Sequence, residues 1–178
     1  MIMAGMEIDL NPVEHITTDA IGEPGQRVFY LQGWKGDHIV TLILEKTQLI
    51  ALVSGIEDFL REIKKKFPDL EQEVVDYQEE KMHINPPVDP LFRVGELHLG
   101  YHLVDDLAVI IAKEMKFGQK DEDELSVVRF WCTRSQLKAL AAWSIEVSAR
   151  GRVTCLLCGE LYNPHEGHVC VKKNGKKI

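Results

Sequence analysis

Hydrophobic positions recur every second residue in some stretches of this chain and every third or fourth in others. The switches between the two periods mark its elements. RVFYLQ (27–32) is dense in aromatic and apolar residues and predicts a strand; GWKGD follows with Gly33 and Gly36 as hairpin formers. HIVTLILE (38–45) sets Ile39, Thr41 and Ile43 against Val40, Leu42 and Leu44. Both faces are apolar, as in a central strand. Over residues 46–67 the period becomes helical: Leu49, Leu52, Val53, Ile56, Phe59, Leu60, Ile63 and Phe67 form one stripe, and Pro68 ends it. LFRVGELHLGYHL (91–103) and DLAVIIAKEMKF (106–117) read as a hairpin turning at Val104–Asp106. GQKDEDE reads as an exposed loop, and LSVVRFWC (125–132) as a further strand. TRSQLKALAAWSIEVSARG (133–151) reads as a second helix, opened by Thr133 and Gln136 as a capping box, with Gly151 at its C′ position.

Two stretches show neither period. Residues 1–26, closing on GEPGQ, are expected to be an irregular lead-in. Residues 68–90, acidic and ending Pro-Pro-Val-Asp-Pro, are expected to be a linker with a short helix near 70–81. LEKTQLIAL (44–52) is similar to CTRSQLKAL (132–140), so that Lys46 matches Arg134, Thr47 matches Ser135 and Gln48 matches Gln136. The chain therefore divides into a lead-in (1–26), a strand–strand–helix unit (27–67), an acidic linker (68–90), a second unit with an extra strand (91–151), and a C-terminal segment (152–178). The fold class is α+β: a mainly antiparallel sheet, two long helices from a strand–strand–helix repeat, and a C-terminal zinc knuckle. Whether the halves share one sheet is left open.

The knuckle rests on CLLCGELYNPHEGHVC (155–170). Three of the four cysteines and two of the seven histidines lie in or beside it. Cys155-x-x-Cys158 is the spacing that turns two thiolates onto one ion, and Gly159 fits the positive φ that lets an amide approach sulfur. Asn163-Pro164 and Gly167 form a turn. In the extended His168-x-Cys170, residues two apart face the same side. Cys155, Cys158, His168 and Cys170 complete a tetrahedral Cys3His set for Zn2+, a closed structural site; His165 is the alternative to His168. A redox CxxC is the rival reading, but such pairs normally open a helix. Cys132 reads as a buried strand residue.

The net charge is −7, and residues from Arg150 onward carry +4, which leaves an acidic body with a short basic tail. That balance disfavours broad nucleic-acid binding by the body; VKKNGKKI reads first as a solvated terminus. No apolar run is long enough to span a bilayer, and MIMAGMEIDL lacks the features of a signal peptide, with Met6 an alternative start. Clustered rather than paired cysteines suit a reducing, cytoplasmic setting. No P-loop, GxSxG, HExxH or GxGxxG occurs.

Two weaker constellations remain. Glu96, His98 and His102 fall on one strand face, with Glu96 and His102 ~20 Å apart at ~3.4 Å per residue. Arg27, Gln32, Arg93, Arg129 and Arg134 lie in or beside strands and could line an anion-binding cleft; salt-bridged scaffold is the plainer reading.

The ordered set GEPGQRVFYLQ, LEKTQ, FRVGELHLGY and CLLCGELYNPHEGHVC resembles an uncharacterised bacterial family, found mainly in actinobacteria and Chloroflexi and known as a domain of unknown function. The resemblance covers roughly residues 15–172. Members usually end in a form like CPLCG-x-P-x-x-P-x-GH-x-CP. Cys155, Cys158, Gly159, Pro164, Gly167, His168 and Cys170 match it. Leu156, Leu161 and Val171 stand where prolines are usual, and an extra residue lies between Pro164 and Gly167. These departures touch rigidity and loop length, not the ligands. The resemblance implies no known activity.

The function expected is a cytoplasmic binding or adaptor module whose zinc segment docks a protein partner. The alternatives are an enzyme with a cleft formed by Glu96, His98 and the strand-end arginines, and nucleic-acid binding through the knuckle and Lys-rich tail.

Overall fold

The computed structural model describes residues 5–118 and 121–177. Its main elements are β1 (Glu7–Leu10), β2 (His15–Ile21), β3 (Val28–Lys35), β4 (His38–Leu44), α1 (Lys46–Lys66), α2 (Glu79–Met82), β5 (Pro90–His102), β6 (Leu107–Glu114), β7 (Val127–Thr133) and α3 (Arg134–Ala149). One seven-stranded sheet runs in the order β1-β7-β6-β5-β4-β3-β2. Pairing is antiparallel except for β1 with β7 and β4 with β5. The fold is therefore α+β, and both halves contribute to a single sheet.

β1 and β2 end the strand order on opposite sides, yet only residues 11–14 separate them. The sheet must curl to allow this. Val13 N–H donates to the Trp131 carbonyl of β7 (2.7 Å), and the next residue, Glu14, donates to Trp34 of β3 (2.9 Å). Gly33 on β3 meets Phe130 on β7 so closely that a Cβ would lie 2.6 Å from Phe130 Cδ1, which only glycine allows. Register shifts at Thr41/Ile43 and at Val94/Glu96 add local bend. The core fills the curl: Leu31, Leu42, Val94, Ile110 and Phe130 from the sheet meet Leu49, Ile56, Leu137, Leu140 and Trp143 from α1 and α3.

Each long helix directly follows a strand, and each starts the same way. Gln48 Oε1 accepts the Glu45 N–H (2.8 Å), and Gln136 Oε1 accepts the Thr133 N–H (2.9 Å). Both glutamines then donate outward to the first strand region of the other half: Gln48 Nε2 to the Val94 carbonyl (2.9 Å), and Gln136 Nε2 to the carbonyls of Val13 and Glu14 (3.4 and 3.3 Å).

Three local expectations are corrected. Residues 1–26 are no irregular lead-in, since they hold β1 and β2. HITTDAI looks polar, but Thr17 and Thr18 are fully buried because both hydroxyls are satisfied. Thr17 Oγ1 donates to the Met82 carbonyl, and Thr18 Oγ1 meets Ser144 Oγ at 2.8 Å. The stretch 68–90 is helical only at Glu79–Met82 and is a strap across α3 and β2 rather than a free linker. Val74 N–H donates to Ser135 Oγ (3.0 Å), Tyr77 packs edge-on against Trp143 (5.9 Å), and Asn85 N–H donates to Gln32 Oε1 (2.7 Å). Gly151 follows the C-cap Arg150 but does not adopt positive φ. A Cβ there would lie 2.7 Å from Arg27 Nη2, the mobile tip of a long side chain. In the expected loop 118–124, Gln119 and Lys120 lie outside the described residues, and Glu122–Glu124 form one 3-10 turn.

Candidate metal centre

The C-terminal segment carries two short antiparallel pairs. β8 (Val153–Thr154) pairs with β9 (Leu161–Tyr162), and β10 (Val169–Cys170) with β11 (Lys176–Lys177). The β8–β9 turn contains the CxxC. Cys155 N–H donates to the Glu160 carbonyl and Gly159 N–H to the Cys155 carbonyl, both at 2.8 Å. Gly159 sits at φ +78°, the left-handed conformation that such a turn demands of a glycine. A second turn brings the other donors back: Gly167 N–H donates to the Asn163 carbonyl (2.9 Å), with Gly167 at φ +68°.

The two turns converge. One ligand atom from each of Cys155, Cys158, His168 and Cys170 lies within 4.8 Å of every other. Cys155 and Cys170 sulfurs are 3.9 Å apart, as are Cys158 Sγ and His168 Nε2. These spacings are those of tetrahedron edges, about 3.8 Å for metal–sulfur bonds of about 2.3 Å. All four cysteines are free thiols. The cluster can hold a metal ion with a complete protein shell.

The electrostatics favour thiolate at Cys155 and oppose it at Cys158. Cys155 is brought down to about 6, first by the Cys158 backbone N–H and next by that of Leu157. At Cys158 the Glu160 amide pulls in the same direction. Desolvation and the sulfurs of Cys155 and Cys170 outweigh it and raise that thiol, as expected when thiolates crowd without a cation. His168 presents Nε2 to the cluster. Its buried Nδ1 makes no hydrogen bond within the described residues, but the Glu160 carboxylate stands 3.6 Å away, within ion-pair reach. Tyr162 stacks on the ring at 4.6 Å. A metal-bound imidazole usually has such an acceptor behind it. The sequence reading missed Glu160 and Tyr162, and only the fold of the two turns places them there.

His165 is outside the cluster. Its backbone N–H donates to Asn163 Oδ1 (3.0 Å), and its side chain lines a separate cavity with Asp19 and His83. Cys132 is fully buried in β7, where desolvation pushes its thiol up to about 12 and leaves it inert.

The weaker constellations do not gather into the expected cleft. Glu96 and His98 pair with each other at 3.1 Å on the exposed outer side of β5, and His102 pairs with Asp105 (2.9 Å). Among the arginines, Arg129 holds Glu7 and Asp9 of β1 (3.0 and 3.3 Å), and Arg134 is buried against Asp106 and Glu73. Gln32 is buried as a clamp, donating to Thr41 Oγ1 (2.9 Å) and to the Asn85 carbonyl (3.1 Å). Arg27 and Arg93 of that set line a common cavity, which does not include Glu96 or His98. The strand pattern predicted which face each residue occupies, but not which residues from other strands would join it.

A mixed sheet curled over two helices, with an appended Cys3His cluster able to hold a metal ion, defines an α+β protein with a candidate metal site. Residues 8–170 match the family described as "Protein of unknown function (DUF3090)", and the chain belongs to it. None of the curated proteins and none of the solved structures compared with the chain matches it. Among the described residues, no helix is long and apolar enough to cross a membrane.

Proposed function

We propose that the protein is a binding or adaptor module in which a structural Zn2+ at Cys155, Cys158, His168 and Cys170 fixes the C-terminal segment as a docking surface for a protein partner. The supporting observation is the closed Cys3His geometry itself. Three thiolates and an imidazole suit Zn2+ better than hard cations, and four protein ligands leave no position for a reacting water. The ordered knuckle then displays apolar side chains to solvent: Leu156 is 100% exposed, Val171 76% and Val169 59%. Lys172, Lys173, Lys176 and Lys177 flank them. An apolar patch with a basic rim suits an acidic partner surface with an apolar centre. Free thiols and a thiolate site suit a reducing compartment, so the setting we infer is cytoplasmic.

The test is metal content by mass spectrometry on the wild type and on a Cys155→Ser/Cys158→Ser double variant, followed by partner capture with Leu156→Asp/Val171→Asp. About one zinc per chain, lost in the double variant, is expected. Partner capture should fail with Leu156→Asp/Val171→Asp while its zinc content stays at the wild-type value. A metal-free wild type would remove the zinc reading. Capture unaffected by the two aspartates, or capture of RNA alone, would remove the docking reading.

A further inference from the structure

The knuckle and the body meet at a second feature, which the metal centre does not explain. A cavity of about 570 Å³ lies between the start of β3, the start of α1 and the residues after α3. Arg27, Lys46, Arg93 and Arg152 line it, with Glu45 the one carboxylate among its walls. Leu161 of the knuckle closes one side. In a chain of net charge −7, four cations and one anion around one cavity is a strong local reversal.

The charges inside are only partly balanced. Glu45 is taken by Arg93. Arg27 is oriented by carbonyls, donating Nη1 to Val147 (3.0 Å) and Nη2 to Ser148 (3.5 Å), and its guanidinium lies over the Phe29 ring at 4.9 Å. Neither the Lys46 nor the Arg152 side chain has a hydrogen bond or ion pair among the described residues. The Gly151 Cβ position is 2.7 Å from Arg27 Nη2 and 3.4 Å from Lys46 Nζ, so the two cationic heads stand no more than about 6 Å apart with no carboxylate between them. Burial, and after it Arg150 outside the cavity, depresses the Arg27 guanidinium.

The corresponding place in the other half shows what is missing. Lys46 matches Arg134 in the LEKTQ/CTRSQ similarity, and each is the first residue of its helix. Arg134 is neutralised twice over: Asp106 accepts from Nε (2.7 Å) and Nη2 (3.0 Å), and Glu73 accepts from Nη1 (3.0 Å). Among the described residues no carboxylate plays that part for Lys46, and a cavity stands beside it.

We propose that this cavity is a binding site for a small soluble phosphate-bearing molecule, whose phosphate oxygens supply the negative charge that Arg27, Lys46 and Arg152 lack. A phosphate dianion matches three cations that no carboxylate neutralises better than a single carboxylate does, because it offers more acceptor oxygens and more charge. The volume suits a group about the size of a phosphorylated metabolite. Arg152 and Leu161 belong to the knuckle, so an occupied metal centre holds one wall of this site in place.

Calorimetric titration of inorganic phosphate and pyrophosphate into the zinc-loaded full chain, in chloride buffer at physiological ionic strength, tests this. One saturable site is expected, tighter for pyrophosphate, with affinity falling about tenfold or more in Lys46→Gln and in Arg152→Gln. Lys138→Gln, a cation elsewhere on the surface, should match the wild type. Thermal unfolding without probe checks each variant, and Lys46→Gln, at an exposed position, decides the matter if Arg152→Gln does not fold. Absence of saturable binding, or equal weakening by Lys138→Gln and Lys46→Gln, would overturn the proposal. So would capture by phosphatidylcholine vesicles carrying phosphatidic acid in the absence of pyrophosphate binding, since the phosphate would then be a lipid headgroup.

Discussion

His168 shows how much a single side chain depends on what stands behind it. Its Nε2 faces the cysteines while Nδ1 is turned toward Glu160, 3.6 Å away, and Tyr162 stacks on the ring. Glu160 is largely exposed, so its effect is at the lower end of what such partners provide. Glu160→Gln should weaken zinc binding about tenfold in competition with a chromophoric chelator; an unchanged affinity would show that the carboxylate does not orient the ring. Asp106 is a second residue whose neighbours set its chemistry. It sits at φ +48° and accepts from both Arg134 and Tyr101, whose hydroxyl is 2.6 Å away. The Arg134 hydrogen bond, ahead of the Tyr101 bond and opposed by desolvation, holds the Asp106 carboxyl below its usual range; Tyr101, desolvated and bonded to that carboxylate, rises to about 12. With its folded-state pKa below the unfolded value of about 3.9, Asp106 contributes stability that is complete above that pH and is lost as pH falls through the depressed value. Urea midpoints should therefore fall more steeply between pH 5 and 3 in the wild type than in Asp106→Asn; parallel profiles would assign the acid sensitivity to other groups.

At the scale of elements, the two helix starts do more than end a backbone ladder. Thr133 Oγ1 accepts the Gln136 N–H at 3.1 Å, so Thr133→Ala should cost about 1 kcal/mol, as cap losses do. Gln136→Ala removes the return bond to Thr133 and the bonds to Val13 and Glu14 that tie α3 to the curled edge of the sheet. Its loss should exceed that of Thr133→Ala in denaturant unfolding; an equal or smaller loss would make the cross-links to Val13 and Glu14 energetically silent. The strap over residues 68–89 depends on the same end of α3. Arg134, with its side chain 7% exposed, binds the Glu71 carbonyl and Glu73. Arg134→Ala leaves Glu73, whose side chain is 11% exposed, with Lys138 at 3.9 Å as its remaining cation, and a loss of about 3 kcal/mol is expected, toward the lower end for such pairs because Lys138 stays and Asp106 can rehydrate. Residue patterns located both long helices because their apolar stripes and their glutamines are local signals. They did not reveal β2, whose buried threonines are satisfied by Met82 and Ser144, residues far away in the chain.

At the scale of the molecule, the core and the knuckle are separately supported. The hydrophobic cluster runs from Leu10 to Val147 and includes no residue of the knuckle. Cys155 and Cys170, though buried, are buried against each other and their own turns. Chelation should therefore unfold residues 152–177 and leave the curled sheet and its helices intact. Hydrogen exchange before and after chelation checks this: fast exchange confined to the knuckle is expected, and loss of protection in α1 and α3 would show that the metal supports the whole fold.

By itself the sequence determined what is local or chemical. The helical and strand periods, the capping glutamines, and the CxxC and HxC spacings each act within a few residues, where chain geometry leaves little choice. Resemblance in the ordered motifs extended this to family membership. The tertiary structure alone decided what depends on distant partners. It joined the halves into one sheet by pairing β4 with β5, and curled that sheet until Gly33 met Phe130. It scattered Arg129 and Arg134 into ion pairs, and set Lys46 and Arg152, far apart in the chain, beside Arg27 around one cavity. The reason is physical. A charge looks the same in sequence whether a carboxylate awaits it or not, and only folding shows which cations remain without one.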